Sequence, residues 1–82
     1  MNGNIAFANP ALARYAVRTD GGDYTLFELR GRYELSEGER LSGEFHMVHH
    51  ALYRTEQHGE VTVYAEGYHR SRTDAARWVY GI

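Results

Sequence analysis

A chain of 82 residues with 43% hydrophobic and 24% charged side chains has room for one modest core and no second domain. Its formal net charge of -2 is too small, and its apolar content too high, for intrinsic disorder. Cysteine is absent, which excludes disulfides, thiolate zinc sites, iron–sulfur clusters and cysteine nucleophiles, and a domain this small without disulfides is expected in the cytoplasm.

Residues 1–82 read as a single β-rich domain. The opening stretch, MNGNIAFANPAL, lacks a basic leader, and Asn9 and Pro10 interrupt its apolar run, so it does not read as a signal peptide. Residues 1–12 are expected to form a flexible or loosely docked arm, with Asn9 and Pro10 able to start one helical turn. No run approaches the roughly 18 apolar residues that a membrane span requires.

From Arg14 onward strand signals dominate. Tyr15, Val17 and Thr19 alternate along one face of Arg14–Thr19. A turn at Asp20–Asp23 leads into Tyr24–Arg30, where Thr25, Phe27 and Leu29 share a face, and the pair reads as a hairpin. Both faces of its second strand are partly apolar, as expected in a barrel or sandwich wall. Gly31, Gly38 and Gly43 punctuate the next segment, with a turn at Ser36–Gly38. His50–Thr55 and Val61–His69 form a second hairpin around the Glu56–Glu60 turn, and Val61, Val63 and Ala65 face one way in the stronger of its strands. At the C-terminus Ser71 or Thr73 caps a short helix, Asp74 lies in its first turn, and Gly81 stops it. Ala75, Trp78 and Val79 give that helix one docking face. Five or six short strands with glycine-bearing turns predict a small antiparallel β-barrel or sandwich with a short C-terminal helix.

The stretch FHMVHH places His46, His49 and His50 within five positions. On a helix, His46 and His50 would match the spacing of the H-E-x-x-H zinc motif, but Met47 stands where its glutamate belongs. On a strand, residues four apart lie roughly 13 Å from each other, too far for one metal ion at about 2.0–2.1 Å from each ligand. A metal site using His46 or His50 would need partners from other strands, His58 and His69 being the remaining histidines. Half-buried or polar strand histidines are the expected reading, with no metal and no cofactor.

Other catalytic patterns are missing. There is no G-x-S-x-G elbow, P-loop or G-x-G-x-x-G fingerprint. Glu34, Glu37, Glu39 and Glu44 surround a turn and read as a solvated acidic loop. No enzymatic activity is expected.

The candidate binding segment is Tyr68–Trp78, where Arg70, Arg72 and Arg77 interleave with Tyr68 and Trp78. Nine arginines with no lysine suit planar or anionic partners, although a G+C-rich bacterial coding bias gives the same composition. Tyr, Trp and Arg are also the residues that anchor protein interfaces. The chain has separate acidic and basic patches, in 34–44 and 70–77, and the edge of the Val61–Tyr68 strand offers pairing to a second copy. A protein-interaction module or homodimer is therefore expected first. Single-stranded nucleic-acid binding through Tyr68, Arg70, Arg72, Arg77 and Trp78 comes second, against the negative net charge. A metal-dependent enzyme using the histidines ranks third. The spacing L-S-x-G-x-x-L-S-G-x-F over residues 35–45, followed by a strong terminal strand, resembles small β-barrels of the Sm-like and OB-like kind. It implies a barrel and carries over no activity.

Overall fold

A computed structural model describes all residues, 1–82. The elements are β1 (Asn2–Asn9), a 3-10 turn (Pro10–Leu12), β2 (Arg14–Thr19), β3 (Tyr24–Arg30), β4 (Arg40–Ser42), β5 (His49–Thr55), β6 (Gly59–Arg70) and helix α1 (Arg72–Tyr80). The six strands close into an antiparallel barrel in the order β1-β2-β3-β6-β5-β4. Period-two alternation builds its wall. Tyr15 and Val17 on β2, Phe27 and Leu29 on β3, and Val61 and Val63 on β6 all turn into one core.

An aromatic row runs through that core. Tyr15 stacks on Phe27 at 5.7 Å between ring centroids, Phe27 meets Tyr53 edge-on at 5.1 Å, and Tyr53 meets Phe45 edge-on at 5.0 Å. Each end is closed by a residue from an irregular connection. At one end Leu35 is buried, and its amide donates to the Tyr15 hydroxyl at 3.3 Å. At the other end Phe45 is buried, and its carbonyl accepts from Thr25 Oγ1 at 2.9 Å.

The expected hairpin of β2 and β3 is present, paired from Arg14↔Glu28 to Arg18↔Tyr24. The N-terminal segment differs from its expectation as a loose arm. Asn2–Asn9 is a full strand, paired with β2 on one side and β4 on the other, and it closes the barrel. A register shift between Ile5 and Phe7 breaks its alternation. That bulge keeps Ile5 and Ala8 against the inner core while Ala6 and Phe7 both reach the outer one. The helical turn expected after Asn9 is found at Pro10–Leu12, but Asn9 caps it without a side-chain bond and instead donates from Nδ2 to the Val79 carbonyl at 2.9 Å.

Helix α1 lies on the outside of the barrel, not in its mouth. Ala75 and Val79 are buried against Ala16, Tyr24 and Leu26 of β2 and β3, with Phe7 and Trp78 packed alongside. This second cluster explains why both faces of β3 are apolar. One faces the barrel core and the other faces the helix. Ser71 caps the helix by accepting from the Asp74 amide at 3.1 Å, and Gly81 ends it in a left-handed conformation. Ser71→Ala is expected to lower stability by about 1 kcal/mol, read as a shift of the urea midpoint. An unchanged midpoint would show that the hydroxyl contributes nothing.

Two further expectations change. Phe45 to Val48 is a turn and loop, and the strand begins only at His49, so His46 is not the expected strand histidine. Burial of the Phe45 ring and the bond from Thr25 pull this stretch across the barrel end instead. Strand β6 runs between β3 and β5, so the Val61–Tyr68 edge is already paired and offers nothing to a second copy.

Candidate functional site

The barrel end near Phe45 gathers three connections: the β2–β3 turn, the β4–β5 loop and the junction of β6 with α1. Each brings one ionisable side chain to the same place. Asp23 ends the β2–β3 turn, which is held by the Thr19 amide donating to the Asp23 carbonyl at 2.9 Å and by Gly22 donating to Thr19. His46 follows the anchored Phe45. His69 comes from a second irregularity in β6. The β3–β6 register passes from Leu26↔Gly67 to Tyr24↔Arg70, so Thr25 alone stands opposite Tyr68 and His69. His69 adopts φ 57° there, an uncommon conformation for a residue with a Cβ. Bulges of this kind re-aim side chains, and this one turns His69 toward the turn. Thr25 thus organises both histidines, since its hydroxyl also fixes the carbonyl before His46.

The three side chains converge on one atom. His46 Nε2 and His69 Nδ1 each lie 3.1 Å from Asp23 Oδ2, and the two imidazoles stack with centroids 4.2 Å apart. The other carboxylate oxygen, Oδ1, accepts from the Thr19 hydroxyl. That hydroxyl above all holds the Asp23 carboxyl below the usual carboxylate range; desolvation, next in size, opposes it, and the hydrogen bond and charge of His46 add to the lowering. Tyr68 borders the group, its ring 5.4 Å from His46 and 4.9 Å from His69. The carboxylate that completes this cluster escaped the sequence reading, because Asp23 there is simply a turn residue. His49, His50 and His58 lie outside it. His49 and His50 flank the Tyr64 ring at 5.7 and 5.2 Å, and His58 packs on Tyr33.

The Arg/aromatic segment is divided by the fold. Arg72 lies over the Phe7 ring at 4.9 Å and donates to the Tyr24 hydroxyl at 3.2 Å. The Trp78 ring lies under Arg14 at 4.9 Å, and its carbonyl accepts from the same guanidinium at 3.0 Å. Both therefore fasten the helix to the barrel. Arg70 folds back over Gly67, and Arg77 is exposed in the last helical turn. Only Tyr68 of the five joins the histidine cluster. The loop bearing Glu34, Glu37 and Glu39 closes the opposite end of the barrel from Arg70 and Arg72, so the acidic and basic segments are separated in space.

The outer wall formed by β5 and β6 carries no helix. Its cross-strand pairs are His50↔Tyr64, Leu52↔Thr62 and Arg54↔Glu60. Leu52 is 60% exposed at the centre, with Met47 and Val48 exposed in the adjoining loop. Arg30 reaches over Tyr64 at 5.6 Å.

Neither surface cavity suits an apolar small molecule. Volumes of about 310 and 240 Å³ flank β4, and Arg40 and Glu56 line both. Arg40 already forks onto Asp20 at 3.1 and 3.4 Å and bonds Asn4 at 2.9 Å. The Tyr53 hydroxyl is buried in the barrel without a partner, and burial pushes its pKa up, so it stays a neutral core group. No helix is long and apolar enough to cross a membrane. Comparison with protein-family models, with curated proteins and with solved structures finds no match.

Proposed function

We propose that this chain is a non-enzymatic protein-interaction module whose first partner is a second copy of itself, docked through the outer β5–β6 wall. The observation that carries this reading is the asymmetry between the two outer walls. Across β1, β2 and β3 the apolar outer residues are covered by α1, whereas Leu52 on β5 stands 60% exposed amid a polar rim. An exposed apolar centre ringed by charge is the usual composition of a contact surface.

The charges on this wall favour a two-fold partner. Arg54 lies toward one end of it, opposite Glu60, and Glu66 toward the other, while Arg30 stands level with Leu52 across Thr62. Their present partners are loose: Arg30 meets Glu28 at 3.4 Å and Arg54 meets Glu60 at 3.8 Å, all well exposed on the arginine side. An antiparallel pair of copies centred on Leu52 brings the Arg54 end of each toward the Glu66 end of the other, the self-complementarity an isologous contact needs. Tyr64 supplies an aromatic anchor beside the axis.

Sedimentation equilibrium of the wild type should give a dimer mass, and Leu52→Glu should give a monomer with the same far-UV spectrum. A wild type that stays monomeric up to its solubility limit, or a variant that stays dimeric, would remove the proposal.

A further inference from the structure

We infer that Asp23, His46 and His69 form a binding site for one late first-row divalent cation of the zinc class, held through Asp23 Oδ2, His46 Nε2 and His69 Nδ1. The site is separate from the β5–β6 wall and does not depend on self-association.

The donor geometry is close to what such an ion requires. The three candidate ligand atoms all lie within 4.8 Å of one another, and both nitrogen–oxygen separations are 3.1 Å. Ligand atoms about 2.0–2.1 Å from a tetrahedral zinc lie roughly 3.3 Å apart. Two of the three edges are therefore already near their final length. The third edge, between the two nitrogens, is no longer than 4.8 Å and can close by rotation of the His69 ring, which is 61% exposed.

Donor chemistry selects the class of ion. Two imidazoles and one carboxylate suit zinc and its neighbours, while calcium and magnesium take oxygen ligands. Each imidazole offers its lone pair at the inward nitrogen when its proton sits on the outward one, Nδ1 of His46 and Nε2 of His69. Oδ1 of Asp23 is occupied by the Thr19 hydroxyl, which aims Oδ2 at the ion and restricts the carboxylate to one bond, as outer partners of metal ligands commonly do.

Hydrogen bonding alone explains the convergence poorly. One carboxylate oxygen faces two histidines whose rings stack 4.2 Å apart, an arrangement in which two protonated rings repel each other. His69 also holds a left-handed backbone conformation at the bulge, and such departures gather where a side chain has to be aimed. The ligands come from a turn, a loop and a strand end, so an ion held there ties three connections together across one mouth of the barrel. Three protein ligands leave a fourth position for water.

The test is titration of untagged, chelator-treated protein with Zn²⁺ by calorimetry and with Co²⁺ by visible absorption. The wild type should bind one equivalent, and Co²⁺ should give a d–d spectrum of low coordination number. His46→Gln and His69→Gly should each weaken binding at least tenfold; glycine at 69 accepts the left-handed backbone. Thr19→Val, which keeps the buried shape and leaves all three ligands in place, should weaken it by about tenfold. His50→Ala, outside the cluster, should change nothing. The inference fails if the wild type takes up neither ion, or if His50→Ala weakens binding as much as the cluster variants do. It also fails if the cluster variants, folded by far-UV spectrum, bind as the wild type does.

Discussion

Replacing Phe27 by alanine should lower the unfolding free energy by about 3–5 kcal/mol. A domain of this length has roughly 4–12 kcal/mol in all, so the variant is expected to be largely or wholly unfolded at 37 °C. Phe27 is fully buried and is the middle member of the aromatic row, stacked on Tyr15 and meeting Tyr53 edge-on. Through Tyr15 that row reaches the Leu35 plug, and through Tyr53 it reaches Phe45 at the opposite mouth. Deleting the ring leaves a cavity that the closed wall cannot collapse to fill, because each strand is paired on both sides. Urea unfolding followed by far-UV dichroism reads the loss. Gln57→Ala, in the exposed turn between β5 and β6, should fall within about 0.5 kcal/mol of wild type. A loss at Phe27 below about 1 kcal/mol would mean that the barrel interior repacks like a fluid.

How much of this molecule could be read from its residues depends on how local each signal is. Tyr15, Val17 and Thr19 against Thr25, Phe27 and Leu29 form a short-range pattern around one turn, and it yields a hairpin directly. Ser71, Asp74 and Gly81 are equally local, and the helix they bound is the one observed. The N-terminal strand was hidden because asparagines at 2, 4 and 9 are poor strand formers. The Ile5–Phe7 bulge also breaks its alternation just where the pattern needs it. What makes Asn2–Asn9 a strand is its partners, β2 and β4, and the second of these lies some forty residues on.

The histidine cluster is non-local in the same way. Asp23, His46 and His69 share no motif spacing, and their meeting depends on Thr25 opposing the β6 bulge while anchoring Phe45. The visible signal, three histidines in FHMVHH, is one of sequence only; the histidine that meets His46 is His69, one of the two left to supply a partner from another strand. His49 and His50 enter the β5 strand and flank Tyr64, while His46 stays in the loop. Composition misled in one further respect. Arg72 and Trp78 look like recognition residues, yet together with Tyr24 they clamp α1 to the wall. A barrel of this size needs its large amphipathic side chains for closure first, and the β5–β6 wall is the one the helix leaves bare.

That closure is most exposed to change at Gly3. Its strand, β1, joins the long strands to the three-residue β4, and Gly3 sits between Thr19 on one side and Leu41 on the other. A Cβ at this position would lie 2.5 Å from the Arg18 carbonyl oxygen, 2.7 Å from Val17 Cγ2 and 3.1 Å from Thr19 Cα. Two of these three atoms are backbone, so a rotamer change cannot clear them, and β1 has to move away from β2. Because β4 is held by only three pairs to β1 and two to β5, displacing β1 opens the barrel along its weakest seam. Gly3→Val is therefore expected to lower stability by about 3 kcal/mol. Backbone amides of β1 and β4 should lose hydrogen-exchange protection before those of β3 and β6. Gly21→Ala makes a suitable control, since a Cβ there meets only ordinary contacts at 3.7 and 4.0 Å. Were Gly3→Val to unfold at the wild-type urea midpoint with β1 still protected, the close approach of β1 to β2 would not be what seals the barrel.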